Sequence, residues 1–429
     1  MTKVLSFTQT EIQGLLSSNS RLVYDPLKKI YYYLPNSSID YNLPDECLSV
    51  ISLFTGGGGL DLGLEWAGFR TTCFVENNRH CVKTIKANRP NWLHIDKHCG
   101  DVSKLTAEDI LTAANMKSGN VGLVVGGAPC QPFSSLGSNA GESIPNGQLY
   151  RHFINLVKEI RPMMFLFENV RGMAQNHKKV IEFMKDEFSS INYGIEVGLL
   201  CAADYGVPQK RYRIFIIGRR DNEKPGFPFP THAEDPKKAL PYFKNLCDNN
   251  QAVFPYRRLK KWRTVEEVFS EITEHHLNRS DSFSADLSPH IIEMIRHIRP
   301  HTRDCWQDLP VDLMFNCWKK GKFQGKDNFG RLLLNEPAVT IRTGAIYPAK
   351  GRYIHPVENR GLNTIEMAAL QSFPLFRRRN KRWLFQGGIM SVARQIGNAV
   401  PPLLAEALGH TLREQITEIY KKTTISNSN

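Results

Sequence analysis

Read as a succession of hydrophobic and polar positions, the chain changes texture near Cys47. Residues 1–46 are polar, relieved by Tyr31, Tyr32 and Tyr33, and read as an N-terminal extension of uncertain order. From Cys47 onward, short apolar runs alternate with stretches of helical period. Residues 48–54, 70–76, 121–125, 163–167, 195–201 and 213–217 read as strands, and 60–67 and 80–88 as helices. Strands separated by helices predict an α/β fold, with a mostly parallel sheet covered on both faces. The last two strands flank a loop holding Pro208, which predicts an antiparallel hairpin at one edge. Between about Pro225 and Asn335 the alternation fades into Pro, Asn, His, Trp and basic residues, as in FPYRRLKKWRT at 254–264. Helical patterning returns after Gly361, over 364–370 and 402–412. The expected division is an extension at 1–46, an α/β domain at 47–222 and 385–429, and a smaller, irregular domain at 223–384.

With 429 residues, 41% of them hydrophobic, the chain can bury a large core in two or three domains. Lys and Arg outnumber Asp and Glu by 55 to 42, a net +13. That surplus suits a polyanionic partner, because each neutralised phosphate releases counterions, although an unspecialised basic protein would show the same sum. Nine cysteines stand as singles with no CxxC pair, which argues against a disulfide framework and for a reducing cytosol. His94, His98 and Cys99 sit close together but no second pair at ligand spacing follows, so no metal is expected. The start, MTKVLSFTQTEIQG, lacks a secretory pattern, and no apolar run is long enough to span a bilayer.

The first chemical motif is the run Phe54-Thr55-Gly56-Gly57-Gly58-Gly59-Leu60-Asp61, placed after a strand and opening a helix. Glycines there allow a tight turn and close approach of backbone N–H groups to a ligand, but a tight turn with no ligand has the same sequence. Glu76 ends the next strand, where a carboxylate suits ribose hydroxyls, and Asp101 could accept from an adenine amino group. The second motif is Gly126-Gly127-Ala128-Pro129-Cys130-Gln131-Pro132-Phe133-Ser134, a cysteine on a proline-stiffened loop at the end of a strand. The third is Glu168-Asn169-Val170, after the apolar run 163–167. Its carboxyl should have a raised pKa and could deliver a proton, or could instead form a surface ion pair. Arg211 and Arg213 alternate along a strand, where they could hold a phosphate or a base, or guard a sheet edge.

Together these blocks resemble the C5-cytosine DNA methyltransferases of bacterial restriction–modification type. The resemblance runs from about Leu48 to the C-terminal helix. It includes Leu370-Gln371-Ser372-Phe373-Pro374 and Gln395-Ile396-Gly397-Asn398-Ala399-Val400-Pro401-Pro402 in the family's order. It implies a Rossmann-like domain that binds S-adenosylmethionine, with Phe54, Gly56, Gly58, Gly59, Glu76, Asp101 and Asn398 around the methyl donor. It implies that Cys130 adds to C6 of a flipped cytosine, that Glu168 contacts the base, and that Arg211 and Arg213 assist there. Gln131 and Ser134 are expected at the DNA, and residues of the small domain at its recognition site. Arg257, Arg258, Lys260, Lys261 and Arg263 are candidates for phosphates and Trp262 for a groove or wedge contact, unless this segment is only a solvated basic loop. The run 377–382 offers the same two alternatives. The implied partner is double-stranded DNA, met by a monomer in the bacterial cytosol at the nucleoid, with no metal and no membrane.

Two departures from the family stand out. Asn146 occupies a position where an Arg is usual, and Leu362-Asn363-Thr364-Ile365-Glu366 replaces the usual Leu-Thr-Pro-Arg-Glu. Amino-methyltransferases acting on adenine or on cytosine N4 use an Asp/Asn-Pro-Pro-aromatic loop. The only Pro-Pro here is Pro401-Pro402, followed by Leu403. A tRNA-directed relative would carry similar blocks, and so would a silent DNA-binding protein on the same fold. The intact set Cys130, Glu168 and Arg211 argues against the second.

Overall fold

The computed structural model describes residues 21–35, 43–128, 148–250, 252–320, 325, 327–375 and 383–428. Pro129, Cys130, Gln131, Ser134, Asn146 and the run 377–382 lie outside them. Seven strands make the central sheet: β1 (Ser49–Leu53), β2 (Arg70–Val75), β3 (Leu93–His94), β4 (Leu123–Gly126), β5 (Met164–Val170), β6 (Gly194–Cys201) and β7 (Tyr212–Arg219). Their spatial order is β3-β2-β1-β4-β5-β7-β6. β1 pairs in parallel with β2 and β4, and β4 in parallel with β5. β7 lies antiparallel between β5 and β6, which is the expected edge hairpin with one refinement: β6 forms the rim. The strand order reverses between β1 and β4, so a crevice opens beyond the carboxyl ends of these two strands, the usual ligand position in such sheets.

Both faces of this sheet are covered. Every residue of β1 is buried, which is why its sequence SVISL reads as a continuous run instead of an alternation. Successive residues of the later strands point to opposite cores. Leu123, Val125, Leu166, Phe215 and Ile217 join one cluster, while Val124, Phe165, Phe167, Ile214 and Ile216 join the other. On the second face pack α3 (Ala107–Ala114), α4 (Leu149–Ile160) and α5 (Lys178–Ser189), which follow α1 (Gly59–Trp66) and α2 (Arg79–Asn88) in the chain. After α6 (Thr364–Leu370) and α7 (Ile389–Asn398), the long α8 (Pro402–Ser428) covers the first face beside α1. Gly63 lets these two helices touch, since an added Cβ would lie 2.4 Å from the Ala405 Cβ.

The N-terminal segment is more ordered than its sequence suggests. Leu22–Asp25 and Ile30–Tyr33 form an antiparallel hairpin, and Tyr32 and Tyr33 pair in parallel with Phe227 and Pro228. Tyr32 is buried and stacks on Phe229. The aromatic patch is therefore a core element, filled in by residues distant in sequence. Phe227, Phe243, Phe254 and Leu259 enter the same cluster as Val50 and Val125, so the boundary expected near residue 223 falls inside a shared core. Beyond it, a separate cluster of Met294, Ile295, Ile298, Trp306, Trp318, Phe329 and Ile354 supports the irregular region. Its short helices and two-residue strands explain why no period is visible there.

Candidate active site

The glycine turn leaves β1 in an unusual conformation. Phe54, Gly56 and Gly58 have φ of 56°, 59° and 78°. A left-handed Phe is uncommon, and such strain persists only where its surroundings enforce it. The turn is tied to Glu76 at the end of β2: Gly56 N–H donates to Glu76 Oε2 at 2.7 Å, and Asn78 N–H to Oε1 at 2.7 Å. Burial raises the Glu76 carboxyl above its ordinary pKa, while these N–H groups pull the other way. Segment 99–101 comes equally close, because a Cβ on Gly100 would lie 2.2 Å from the Glu76 carbonyl oxygen. Asp101 follows, with its carboxylate accepting from Ser103 N–H and hydroxyl and pairing with Lys104 at 3.3 Å. Bonding to Ser103 lowers its pKa.

The end of α7 closes the neighbourhood. A Cβ on Gly57 would meet the Gln395 Cβ at 3.2 Å, and one on Gly59 the Val400 carbonyl oxygen at 2.4 Å. Asn398, the last residue of α7, is exposed beside them. Thus Glu76, Gly100 and the Gln395 and Val400 positions flanking Asn398 converge on the turn Phe54–Gly59, with Asp101 next in sequence to Gly100.

Two strands away stands Glu168, on β5 and only 9% exposed. Arg213 Nε lies 3.0 Å from its Oε1. Burial raises the carboxyl above its ordinary range, against the opposing charges of Arg213 and Arg211. Gly127 makes room for it, since a Cβ there would lie 2.9 Å from Glu168 Oε2. The neighbouring Asn169 Nδ2 donates to the Ala128 carbonyl at 3.3 Å and pins the start of the cysteine loop. Cys130, Gln131 and Ser134 themselves are outside the described residues.

The two arginines part company. Arg213 faces Glu168, but Arg211 falls between strands, is fully buried, and donates to the carbonyls of Ile341 at 3.0 Å and Gly397 at 2.8 Å. The expected strict alternation on one strand face fails because the chain breaks between Gln209–Lys210, which pairs with Ala338–Val339, and β7. In the basic segment, Arg257, Arg258, Lys260 and Lys261 are exposed. Trp262 is not free to act as a wedge: its Nε1 donates to Asp204 at 3.0 Å and its ring lies under Lys210. Arg263 is paired with Glu267 and Glu271. Two features are hidden from a reading of the sequence. Gln209 and Gln371 form a buried amide pair at 3.1 Å, signalled only by a polar residue inside the Leu370-Gln371 apolar context. Arg151 joins the run His177-Lys178-Lys179 in lining one cleft, a meeting that their separation in sequence does not announce. Among the described residues no group of His, Cys, Asp and Glu could hold a metal ion, and no helix is long and apolar enough to cross a membrane.

A doubly wound sheet with a left-handed glycine turn and buried carboxylates near neighbouring strand ends is a Rossmann-like fold. Residues 48–414 match the C-5 cytosine-specific DNA methylase family, and the chain belongs to it. It is a DNA cytosine-5 methyltransferase. It is 32% identical to the type II methyltransferase M.PspPI of a Psychrobacter species, over 86% of this chain and 80% of the relative. It is 31% identical to M.Eco47II of Escherichia coli, over 89% and 82%. Its fold is similar to a crystal structure described as a DNA modification methyltransferase encoded within an E. coli prophage. That match has a TM-score of 0.59 and 24% identity, over 85% of this chain and 98% of the other.

Proposed function

We propose that this enzyme takes its methyl group from S-adenosylmethionine and transfers it to C5 of a cytosine flipped out of a specific duplex site, through a covalent bond between Cys130 and C6. The observation that carries the reading is one register row of the sheet, Leu53–Gly126–Phe167. The glycine turn, the cysteine loop and Glu168 all leave from it. Neighbouring strands stand about 4.8 Å apart, so the chain departs toward the donor turn, the cysteine loop and the acid from adjacent positions. Cys130 follows the pinned Ala128 by two residues, a span of at most about 7 Å.

The donor fits the residues present. The Cβ position of Gly56 is open to 3.9 Å while those of Gly58 and Gly59 are taken by Trp383 and the Val400 carbonyl, so the turn is fixed by packing with space left at Gly56, and Glu76 offers a buried carboxylate for two hydroxyls. S-adenosylmethionine supplies an electrophilic methyl on a sulfonium. The chain's own groups do the rest. The Cys130 thiolate adds to C6 while the Glu168 carboxyl gives its proton to the ring, which places enamine character on C5. After C5 has taken the methyl, its proton passes to solvent, the ring proton returns to the Glu168 carboxylate, and the C6–sulfur bond breaks, which restores the ring and the thiolate. Arg213 holds Glu168 in place. Rotating a base out of the stack costs a few kcal/mol, which contacts of the small domain with the duplex offset. Arg257, Arg258, Lys260 and Lys261 serve its phosphates, joined by Arg151, Lys178 and Lys179. We place the enzyme as a monomer in the bacterial cytosol at the nucleoid, protecting host DNA in a restriction–modification system.

The test is Cys130→Ala. It abolishes methyl transfer and leaves duplex binding largely intact; a variant with normal turnover overturns the mechanism.

A further inference from the structure

Gln209, Arg211 and Gln371 are all fully buried polar side chains. Such groups are costly unless their bonds are made, so where those bonds go is informative. A helix ends with carbonyls that have no partner inside it. At the end of α7, Arg211 Nη2 donates to the Gly397 carbonyl at 2.8 Å. Gln371 Nε2 donates to the carbonyls of Ile396 at 2.6 Å and Ala399 at 3.4 Å. The carbonyls on either side of Asn398 are therefore captured by two side chains from other parts of the fold.

The same side chains reach the small-domain segment at residue 341. Arg211 Nη1 donates to the Ile341 carbonyl at 3.0 Å, and Ile341 N–H donates to Gln209 Oε1 at 2.9 Å. Gln209 Nε2 donates to the Leu370 carbonyl and to Gln371 Oε1, both at 3.1 Å. Contact between the segment and α7 is direct, because a Cβ on Gly397 would lie 2.4 Å from the carbonyl carbon of Arg342. A guanidinium with both Nη atoms engaged on carbonyls and no exposed surface is badly placed to touch a flipped base.

We propose that Arg211 is a positioning residue which, with Gln209 and Gln371, holds Asn398 toward the methyl donor and ties that placement to the small-domain segment at Ile341. This rests on the reading of Asn398 as a donor contact.

The test measures S-adenosylmethionine affinity by titration calorimetry, together with kcat and KM, on full-length variants. Gln371→Met is nearly isosteric and removes the donors to Ile396 and Ala399. It raises the donor Kd and KM about ten-fold, a fraction of what a 1 Å misplacement can cost, with kcat changed far less. Arg211→Lys keeps the charge but not the fork and acts in the same direction. Neither moves the pH profile. Arg211→Met also shifts the alkaline limb upward, since Glu168 then faces Arg213 alone. Asn398→Ala separates the two readings. If it leaves donor affinity at the wild-type value, the donor contact is wrong. If it weakens donor binding while Gln371→Met and Arg211→Lys do not, the positioning role is overturned. These two mild variants decide the matter even if Arg211→Met fails to fold.

Discussion

Arg213 holds its Nε 3.0 Å from Glu168 Oε1 across the antiparallel pair of β7 and β5, both side chains almost wholly out of solvent. The pair sets a balance. Burial favours the protonated acid, and the guanidinium favours the carboxylate. A proton donor that is needed in its protonated form loses activity as pH rises through its pKa. Arg213→Ala removes the larger stabilising charge, so the carboxyl pKa climbs further. The alkaline limb of kcat/KM should then move to higher pH, while the maximal rate falls because the acid is no longer held. Rates across about pH 6–10 check both.

Glu168→Gln keeps the shape and removes the transferable proton. Turnover should drop by roughly 10²–10⁴-fold, the usual worth of a positioned acid. Duplex affinity should change little. Single-turnover kinetics with saturating donor give the comparison.

A duplex carrying 5-fluorocytosine at the target position should trap the enzyme. Fluorine cannot leave C5 as a proton does, so the C6–sulfur bond persists after methyl transfer. A complex stable on a denaturing gel is expected with the wild-type chain and absent with Cys130→Ala.

Asp61 lies in the first turn of α1, fully enclosed, and burial pushes its carboxyl up to about 6, against the hydroxyls of Ser52 and Thr71. The folded state therefore binds a proton that the unfolded chain has released above about pH 4. Stability contributed by this group falls as pH rises from about 4 to 6 and stays low above. Asp61→Asn should raise stability near pH 8 by roughly 2–3 kcal/mol and have a smaller effect near about pH 4. Thermal melts at the two values test it.

The exposed Lys260 and Lys261 lie on a two-residue strand beside His232–Ala233, facing solvent. If they meet phosphates, the double alanine variant should reduce the slope of log affinity against log salt by about two, uniformly across DNA sequences. An unchanged slope would mark them as a solvated surface only.

The sheet is legible in the sequence because parallel strands buried on both faces leave unbroken apolar runs, and because 54–59 and 126–128 carry turn chemistry at the ends of such runs. Glu168 can be placed since it terminates one of them. The N-terminal hairpin is not legible: Tyr32 is buried in a cluster with Phe227, Phe229 and Phe243, which no local pattern connects to it. Arg211 eludes the pattern for a related reason. Alternation along a strand predicts which face a side chain takes, but the strand is interrupted beside it, and the carbonyls it meets belong to residues 341 and 397. Trp262 is likewise claimed from afar, since the partner of its N–H is Asp204, in a different part of the chain.

The shared row of Leu53, Gly126 and Phe167 has a bearing on how such an enzyme can diversify. Spacing between the points where the glycine turn, the cysteine loop and Glu168 leave the sheet is written into main-chain ladders. The irregular region has a tryptophan-lined core of its own and meets the sheet domain at the segment around Ile341. On the proposed reading of this region as the part that meets the duplex, grafts that keep the joint at Ile341 and Gly397 should retain methyl transfer and change the site methylated.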